Sequence, residues 1–382
     1  MRKIIFLIAF MIFFPTCASA LELIPNAKSG ILIEANSGKI IFEKDKDTEY
    51  SVASMTKMVA QIIILEEVEK GNIKWSDIVT VSKNASGMGG SQIYLEVGEK
   101  ISVEDLMKGI SIASGNDATV AMAEYISGSE EKFVERMNNK VKELGLKHTH
   151  FVNSTGLDEK DHYSSSYDMA MIARDLVINH KEILRFSSIY EDYLRENTNR
   201  KFWLVNTNKL LRQYDGVDGL KTGHTDDALY CLSTTAKRGT LRLIGIVLGE
   251  KESKVRNKEM IDLLDYGFSN VKVNTLKKKG DVIKNIKLSK TDKKDISLIL
   301  KDDLTVIQDV SNKEDNYKYD IVVDSFKYPI NKGDTLGKII VKNNNQELSR
   351  GILVADKSVN KLKLIDLFIN NIKSVIFGNY KD

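Results

Sequence analysis

The order in which strand-type and helix-type patterns follow one another constrains the fold of this chain more than any other feature. Two short β-type runs, residues 31–35 and 39–43, are joined by the turn-forming Asn36-Ser37-Gly38 and predict a hairpin. After a long helical stretch, strand patterns return at residues 202–205, 217–222, 230–235 and 241–248. Because strands lie at both ends of this region and helices in its middle, we expect an α+β domain with one antiparallel sheet and helices packed on it.

The middle of the chain carries apolar residues at helical spacing. Residues 55–70 are the clearest case, because the run stops at Gly71, which suits a helix C-terminus. Similar patterns occupy residues 103–112, 117–126, 130–144 and 166–178, and a last helix is expected from about 256 to 264. The pattern therefore predicts a mixed domain over residues 21–272.

The first twenty residues differ from the rest of the chain. They contain two bases, an apolar run of 11 residues from Ile4 to Phe14, and the small residues Ala18-Ser19-Ala20. The run is shorter than the ~20 residues that span a bilayer, so residues 1–20 are interpreted as a secretory signal peptide cleaved after Ala20. Cys17 leaves a lipoprotein open as an alternative. If Cys17 is removed, Cys231 is the single cysteine and no intrachain disulfide is expected.

Beyond residue 272 the pattern changes again. Short alternating runs at residues 296–300, 319–323 and 336–341 predict a small all-β domain over residues 273–356. The last segment repeats apolar residues at helical spacing and predicts an amphipathic helix within residues 357–382. Two interpretations of this helix remain: it docks on its own protein, or it anchors the chain at a membrane surface.

Charge and composition exclude several classes of function. The chain has 56 Lys and Arg against 53 Asp and Glu, and the two signs are interspersed, which gives no support to a nucleic-acid binder. Its five histidines form no H-E-x-x-H pair, and His148 and His150 suit a packed connection better than a zinc site. Neither a metal nor a cofactor is expected. The absence of G-x-S-x-G argues against a nucleophile elbow.

Three short motifs occur in a meaningful order: Ser54-Met55-Thr56-Lys57, Ser114-Gly115-Asn116 and Lys221-Thr222-Gly223. They match the S-x-x-K, S-x-N and K-T-G signature of penicillin-recognising serine enzymes. Each motif is weak alone, since S-x-x-K also occurs at residues 129–132 and 269–272. The order and the context distinguish the chosen set, because the first motif opens a predicted helix, the second lies between two helices and the third lies on a strand.

The chemistry explains why these residue types are needed. A serine hydroxyl is a weak nucleophile until a base removes its proton, and on a helix Lys57 is close enough to reach Ser54. Lys57 acts as a base only when neutral, so its pKa must fall from about 10.4 towards 7. Burial and a second cation lower such a pKa, and Lys221 is the candidate cation. The backbone N–H of Ser54 would stabilise a tetrahedral oxyanion.

In these motifs and their surroundings, the chain resembles the D-alanyl-D-alanine carboxypeptidases, the low-molecular-mass penicillin-binding proteins of peptidase family S11. The likeness covers residues 27–272 and includes Tyr50-Ser51-Val52-Ala53, Gly156-Leu157-Asp158 and residues 217–225. It implies a β-lactamase/transpeptidase-like domain with an antiparallel sheet and a helical subdomain. A β-rich second domain and an amphipathic C-terminal anchor commonly follow in the family.

The resemblance also implies catalytic roles. Ser54 would be the acylated nucleophile and Lys57 its general base. Ser114 and Asn116 would position the substrate and relay protons, with electrostatic help from Lys221.

Substrate-binding roles follow from the same resemblance. They fall on Lys221, Thr222, Gly223, His224 and Arg256. His224 would complete the oxyanion hole through its backbone N–H, and Arg256 would contact the terminal carboxylate of the substrate. Asn257 departs from the acidic residue often found at that position, and the loop of residues 82–90 matches a flexible segment beside the site.

The reaction implied is the removal of the terminal D-Ala from a peptidoglycan stem pentapeptide through an acyl-enzyme that β-lactam antibiotics also form. Such an enzyme is exported and acts at the extracytoplasmic face of the membrane or in the cell wall. A class A β-lactamase is one alternative, but it has S-D-N where this chain has Gly115, and the nearest approach to its E-x-x-L-N segment, at residues 135–139, falls within a predicted helix. A non-catalytic wall-binding scaffold is the other.

Overall fold

The structure is a computed structural model that describes residues 22–310, 316–343 and 346–362. The predicted signal peptide and the predicted amphipathic helix from residue 363 onward lie outside these described residues.

The helices begin after a 3₁₀ turn at Ala53–Thr56 and are α1 (Lys57–Glu69), α2 (Lys83–Ser86), α3 (Val103–Ile112), α4 (Asn116–Ser127), α5 (Glu130–Glu143), α6 (Ser166–Asn179), α7 (Ile183–Ser187), α8 (Leu210–Gln213) and α9 (Ser253–Asn270). The strands of the first domain are β1 (Ser29–Glu34), β2 (Ile40–Lys44), β3 (Ile78–Thr80), β4 (Lys100–Ser102), β5 (Glu191–Leu194), β6 (Phe202–Val205), β7 (Val217–Thr225), β8 (Leu229–Arg238) and β9 (Leu241–Glu250). Those of the second domain are β10 (Val271–Lys277), β11 (Val282–Lys287), β12 (Asp295–Leu300), β13 (Leu304–Asp309), β14 (Lys318–Val323), β15 (Thr335–Asn343) and β16 (Gln346–Ala355).

One antiparallel sheet organises the first domain. Its strand order is β2-β1-β9-β8-β7, so the N-terminal hairpin pairs with the last strand of the domain. This arrangement confirms the predicted α+β class. The strand predicted at residues 202–205 is present as β6, but it pairs with β5 in a separate two-stranded ribbon rather than with the central sheet.

Both faces of the central sheet are covered by helices. In β1, Ile31 and Ile33 pack into the cluster formed with α1 and α6, while Leu32 packs against Met260 and Leu264 of α9 on the other face. All six residues of β1 are therefore buried. This double coverage explains why the strand reads as a continuous apolar run instead of an alternating one.

Local signals in the sequence account for several helix ends. Serine side chains cap the N-termini of four helices, namely Ser82, Ser102, Ser129 and Ser165 for α2, α3, α5 and α6. Gly128 takes a left-handed conformation directly after α4. These caps place the helix boundaries close to those expected from the spacing of apolar residues.

The second domain is all-β over the residues that the structure describes. Its five-stranded sheet has the order β11-β12-β16-β15-β14, and β10 pairs with β13. Residues 357–362 are not helical: Val359 is buried and pairs with Ile330, and Lys361 pairs with Thr291. The β-type pairing therefore continues six residues past the expected boundary at 356. Over the described part of the chain, no helix has the length and apolar character needed to span a membrane.

Candidate active site

Two glycines bring three chain segments together around Ser54. At Gly223 of β7, a Cβ would lie 2.6 Å from the Val52 carbonyl oxygen, so only glycine lets this strand approach the turn that carries Ser54. Gly156 has a φ of +83°, and a Cβ there would collide with the Ala53 carbonyl oxygen. Ala53 itself has a φ of +48°. The backbone directly before Ser54 is thus shaped by two close approaches and by a residue in a strained conformation.

The first motif forms the expected serine–lysine pair. Ser54 lies in the 3₁₀ turn before α1, and Lys57 is the first residue of that helix. Lys57 Nζ lies 2.9 Å from Ser54 Oγ, and it also donates to the Thr155 carbonyl oxygen at 2.6 Å. Lys57 is fully buried, whereas Ser54 is partly exposed. A partly exposed hydroxyl beside a buried amine is the arrangement that an activated serine nucleophile requires.

The second and third motifs form a matching pair. Lys221 Nζ donates to Ser114 Oγ at 2.8 Å and to the Thr222 carbonyl oxygen at 3.0 Å. Both side chains are buried, at 1% and 3% exposure for Lys221 and Ser114. Ser114 has a φ of +63°, which is uncommon for a residue other than glycine and marks a locally constrained backbone.

Burial lowers the pKa of both lysines, and a different nearby cation adds to the effect at each of them. Burial, and next the nearby Lys221 cation, hold the pKa of Lys57 well below its ordinary value. Burial together with the Arg256 guanidinium lowers the pKa of Lys221 to about 7. Desolvation disfavours the charged form of an amine, and a neighbouring cation adds to that effect. The electrostatics therefore favour a neutral Lys57, which is the form that accepts a proton.

Asn116 lies at the start of α4 and faces the loop of residues 89–91. Its Nδ2 donates to the Gly89 carbonyl oxygen at 2.7 Å, and its backbone N–H donates to the Ser91 carbonyl oxygen. Its Oδ1 is buried and has no hydrogen-bond partner among the described residues. A buried acceptor without a donor is costly, so this oxygen is available to a donor that a substrate brings.

The remaining predicted residues lie along β7 and behind it. Thr222 Oγ1 donates to Thr207 Oγ1 at 2.7 Å. His224 is exposed, and its ring packs on Tyr230 with centroids 4.1 Å apart.

Arg256 is almost completely buried, and its guanidinium donates to Asn257 Oδ1 and to the Cys231 carbonyl oxygen. Burial lowers the pKa of this guanidinium. Asn257 occupies the position where the family often has an acid, so it holds Arg256 without neutralising it. Among the residues that the structure describes, no carboxylate pairs with the Arg256 guanidinium.

Four residues of the site escaped the sequence analysis. They are Thr155, Thr207, Asp117 and His162. Thr155 supplies the carbonyl that accepts from Lys57, and Thr207 accepts a hydrogen bond from Thr222. The carboxylate of Asp117 accepts from the backbone N–H groups of Ile93 and Leu95. His162 Nδ1 accepts from the Val152 N–H, and its Nε2 lies 2.8 Å from Thr56 Oγ1. Asp117 follows directly after S-G-N, and that position was the one available signal.

Within the described residues, no three His, Cys, Asp or Glu side chains are grouped so that they could hold a metal ion. The polar groups of the site are instead two serine hydroxyls, two buried amines and an asparagine amide. The mixed fold and this constellation define a serine acyl-transfer enzyme of the penicillin-recognising class.

Comparisons with known proteins agree with that class. The model of the D-alanyl-D-alanine carboxypeptidase family, peptidase S11, matches residues 17–252, and that of the penicillin-binding protein 5 C-terminal domain matches residues 272–361. The chain belongs to the D-alanyl-D-alanine carboxypeptidase family of serine peptidases.

Individual relatives extend over most of the chain. It is 45% identical to the D-alanyl-D-alanine carboxypeptidase DacF of Bacillus subtilis, over 90% of this chain and 88% of the relative. Penicillin-binding protein 5 of Haemophilus influenzae is a similar solved structure, with a TM-score of 0.70 at 31% identity, covering 88% of this chain and 98% of the other. The peptidoglycan synthesis regulatory factor PBP3 of Streptococcus pneumoniae has a TM-score of 0.73 at 27% identity, covering 88% and 99%.

Proposed function

We propose that this protein is a serine-type D-Ala-D-Ala carboxypeptidase that removes the terminal D-Ala from peptidoglycan stem pentapeptides. One observation carries the proposal: Lys57 Nζ lies 2.9 Å from Ser54 Oγ while burial and Lys221 hold the pKa of Lys57 far below its ordinary value. This pair can make a serine alkoxide without a metal, a histidine or a cofactor.

In the acylation step, the Ser54 hydroxyl proton passes to Lys57 Nζ as Oγ bonds to the penultimate D-Ala carbonyl carbon. The π electron pair of that carbonyl moves to its oxygen, which the backbone N–H groups of Ser54 and His224 stabilise. The tetrahedral intermediate then collapses, and the amine of the terminal D-Ala leaves with a proton relayed through Lys57 and Ser114. In the second step, water passes a proton to Lys57 Nζ and its oxygen bonds to the acyl carbon; the bond from that carbon to Ser54 Oγ then breaks, Oγ takes the proton back from Lys57, and the shortened peptide leaves. The short contacts from Lys57 to Ser54 and from Lys221 to Ser114 support this relay.

The substrate's terminal carboxylate is bound by the cations around β7. Lys221 is buried but partly neutral near pH 7, because its pKa is about 7, whereas Arg256 has no ion-pair partner among the described residues. Arg256 and the hydroxyl of Thr222 are therefore assigned to the carboxylate, and Gly223 provides the close backbone approach. Asn116 Oδ1, unpartnered in the described chain, is assigned to a substrate amide N–H.

The proposed reaction also implies what the protein binds and where it acts. β-lactam antibiotics acylate Ser54, and peptidoglycan stem peptides are the physiological substrate, so the enzyme acts outside the cytoplasmic membrane. An export signal at residues 1–20 and a membrane-surface contact through the segment after Leu362 are part of this proposal, supported by the apolar patterns of the two segments.

Labelling with a fluorescent penicillin tests the nucleophile. The wild-type protein should form a covalent adduct that survives denaturing electrophoresis, and Ser54→Ala should form none. Ser51→Ala is the matched control, because Ser51 lies three residues away and bonds Asp158 rather than Lys57. Absence of a wild-type adduct would favour the non-catalytic scaffold instead.

A second experiment separates the carboxypeptidase from a β-lactamase. Release of D-Ala from a diacyl-Lys-D-Ala-D-Ala peptide is compared with turnover of penicillin by the same preparation. We expect rapid D-Ala release and slow loss of the penicilloyl adduct, since Gly115 stands where a class A β-lactamase has aspartate. Fast penicillin hydrolysis without D-Ala release would contradict the proposal.

A further inference from the structure

Two side chains hold the loop of residues 153–157: Glu130 of α5 accepts from the backbone N–H and the Oγ of Ser154, and Asn153 closes the loop from within. Asn153 Oδ1 accepts from the backbone N–H of Thr155 at 3.2 Å, from Thr155 Oγ1 at 3.1 Å and from the backbone N–H of Gly156 at 2.7 Å. Its Nδ2 donates to the Leu157 carbonyl oxygen at 2.9 Å. Four hydrogen bonds from a single amide therefore set the shape of this loop.

The loop contacts both members of the serine–lysine pair. Its Thr155 carbonyl accepts from Lys57 Nζ at 2.6 Å, closer than the 2.9 Å between that nitrogen and Ser54 Oγ. Its Gly156 packs against the Ala53 carbonyl oxygen, directly before the nucleophile. A displacement of the loop would move the acceptor of Lys57 and the backbone support of Ser54 together.

The Thr155 carbonyl has a specific consequence for a neutral lysine. A neutral amine has two N–H bonds and one lone pair, and that lone pair must face the Ser54 hydroxyl for proton transfer. An N–H directed at the Thr155 carbonyl fixes the rotation of the amine and leaves the lone pair for Ser54. Orientation of this kind contributes to rate because a misplacement of about 1 Å can cost ~10²-fold.

We propose that Asn153 is a positioning residue for acylation, which rests on the proposed roles of Ser54 and Lys57. It acts through the Thr155 carbonyl and does not touch the substrate. Its role differs from ordinary loop stabilisation, because Asn153 controls the direction in which the Lys57 amine points.

Asn138 of α5 offers a matched control, because it holds the backbone two residues before Asn153. It exchanges two hydrogen bonds with the backbone of Phe151, at 2.8 and 2.9 Å, but none with residues 153–157. We expect Asn153→Ala to lower the rate constant of acylation at saturating labelled penicillin by about 10- to 100-fold, with little change in the half-saturating concentration. The acylation rate constant of Asn138→Ala should stay within about two-fold of wild type. We expect this even if Asn138→Ala and Asn153→Ala lower the melting temperature equally.

Asn153→Asp supplies a readout that a purely structural role would not change. It keeps the acceptor for Thr155 and Gly156, so acylation at high pH should recover to within a few-fold of wild type. The added carboxylate favours the Lys57 ammonium, so the acid limb of the pH profile should move to higher pH. Asn153→Ala should instead lower acylation at every pH. The aspartate variant also keeps the test decisive if the alanine variant unfolds.

The outcomes separate the two proposals. Equal acylation rate constants for Asn153→Ala and Asn138→Ala would overturn the positioning role, as would an Asn153→Asp profile with an unshifted acid limb. Attachment of labelled penicillin to a residue other than Ser54 would overturn the proposed function instead. This second result would appear on the labelling gel as an adduct that the Ser54→Ala variant still forms.

Discussion

The two lysines of the candidate active site and the surface lysines of the C-terminal β domain have opposite environments. In the catalytic domain, residues 22–270, Lys57 and Lys221 are almost fully buried, and burial lowers the pKa of both. In the C-terminal β domain, Lys342 and Lys357 lie at the surface beside Asp320 and Asp295, at 2.7 and 2.6 Å. The hydrogen bonds to these carboxylates raise the pKa of each surface lysine.

The contrast teaches that the environment, and not the residue type, makes a lysine reactive. A buried ammonium without a carboxylate partner is unstable relative to the neutral amine, so it becomes a base. A solvated ammonium beside a carboxylate stays charged and contributes little to stability. The first domain carries destabilising cations where chemistry needs them, and the second carries lysines that keep a β-sheet surface solvated.

The largest expected effect is at Lys57, the proposed general base. Lys57→Met keeps an unbranched side chain but removes the proton acceptor of Ser54, so acylation by labelled penicillin should fall on the order of 10³- to 10⁴-fold. The free energy of unfolding should change little in comparison with the activation free energy of acylation, because an apolar chain replaces a buried amine. Acylation kinetics and urea unfolding measure the two quantities. If Lys57→Met were acylated near the wild-type rate, the buried Lys57 would be no more reactive than the surface lysines of the β domain.

Lys221 should give a smaller kinetic effect and a clear pH signature. Lys221→Met should lower acylation about 10²-fold through lost electrostatic stabilisation. The pKa of Lys221 is about 7 in the folded protein, against 10.5 for an ordinary lysine. Between these pH values the unfolded chain binds more protons, so wild-type stability rises with pH through this window. The variant lacks this contribution. Its free energy of unfolding should therefore rise less than that of the wild type over this pH window, by as much as about 5 kcal/mol.

Urea unfolding from pH 7 to 10.5 checks this second prediction. Loss of Lys221 also removes one cause of the lowered pKa of Lys57, so the comparison is repeated in a Lys57→Met background, where Lys57 does not titrate. A wild-type curve parallel to that of Lys221→Met would mean that Lys221 is solvated in the native state, like Lys342 and Lys357.

His162 extends the contrast to acid pH. Burial, and then nearby His150 and Lys57, lower its pKa from 6.5 to about 4. The stability it provides as a neutral ring is complete above pH 6.5 and is lost as the pH falls towards 4, by about 3 kcal/mol. His162→Gln should weaken this acid sensitivity of the catalytic domain. Unfolding followed between pH 7 and 4 measures it, with His148→Gln at the surface as the control.

The smallest effects are expected in the second domain. Lys342→Met and Lys357→Met remove exposed ion pairs, so acylation should stay within about two-fold of wild type and the melting temperature should hardly move. The same labelling and melting measurements apply. A strong loss of acylation in either variant would show that the surface lysines of the β domain influence the active site, contrary to the contrast drawn above.

Much of the fold could be read from local patterns. The helices at residues 103–112 and 166–179 and the strands near 217–225 and 241–250 follow from apolar spacing, serine caps and turn residues, which act over a few neighbouring positions. The strand at 202–205 was foreseen, but its pairing with β5 was not, because strand partners depend on how the chain returns in space. Short elements such as α7 and α8 carry too few residues for a periodic pattern to appear.

The proposed catalytic residues could be selected from the sequence because three motifs combine specific residue types in a specific order. Their supporting residues could not. Thr155 acts through a backbone carbonyl, which any residue type possesses, so no side-chain pattern reports it. His162 lies 106 residues from Thr56, and nothing local distinguishes it from the neighbouring His150.

The sequence by itself determined the mixed class of the fold, a helix over about residues 55–70, and the set of serines and lysines available for acyl transfer. Only the tertiary structure decided which of these groups meet. Lys57 reaches the Thr155 carbonyl 98 residues away, and Lys221 reaches Ser114 across 107 residues. The physical reason is that propensity and capping act locally, whereas desolvation and hydrogen bonding between distant segments arise when the chain closes around them. Closure buries the two amines and thereby lowers their pKa values.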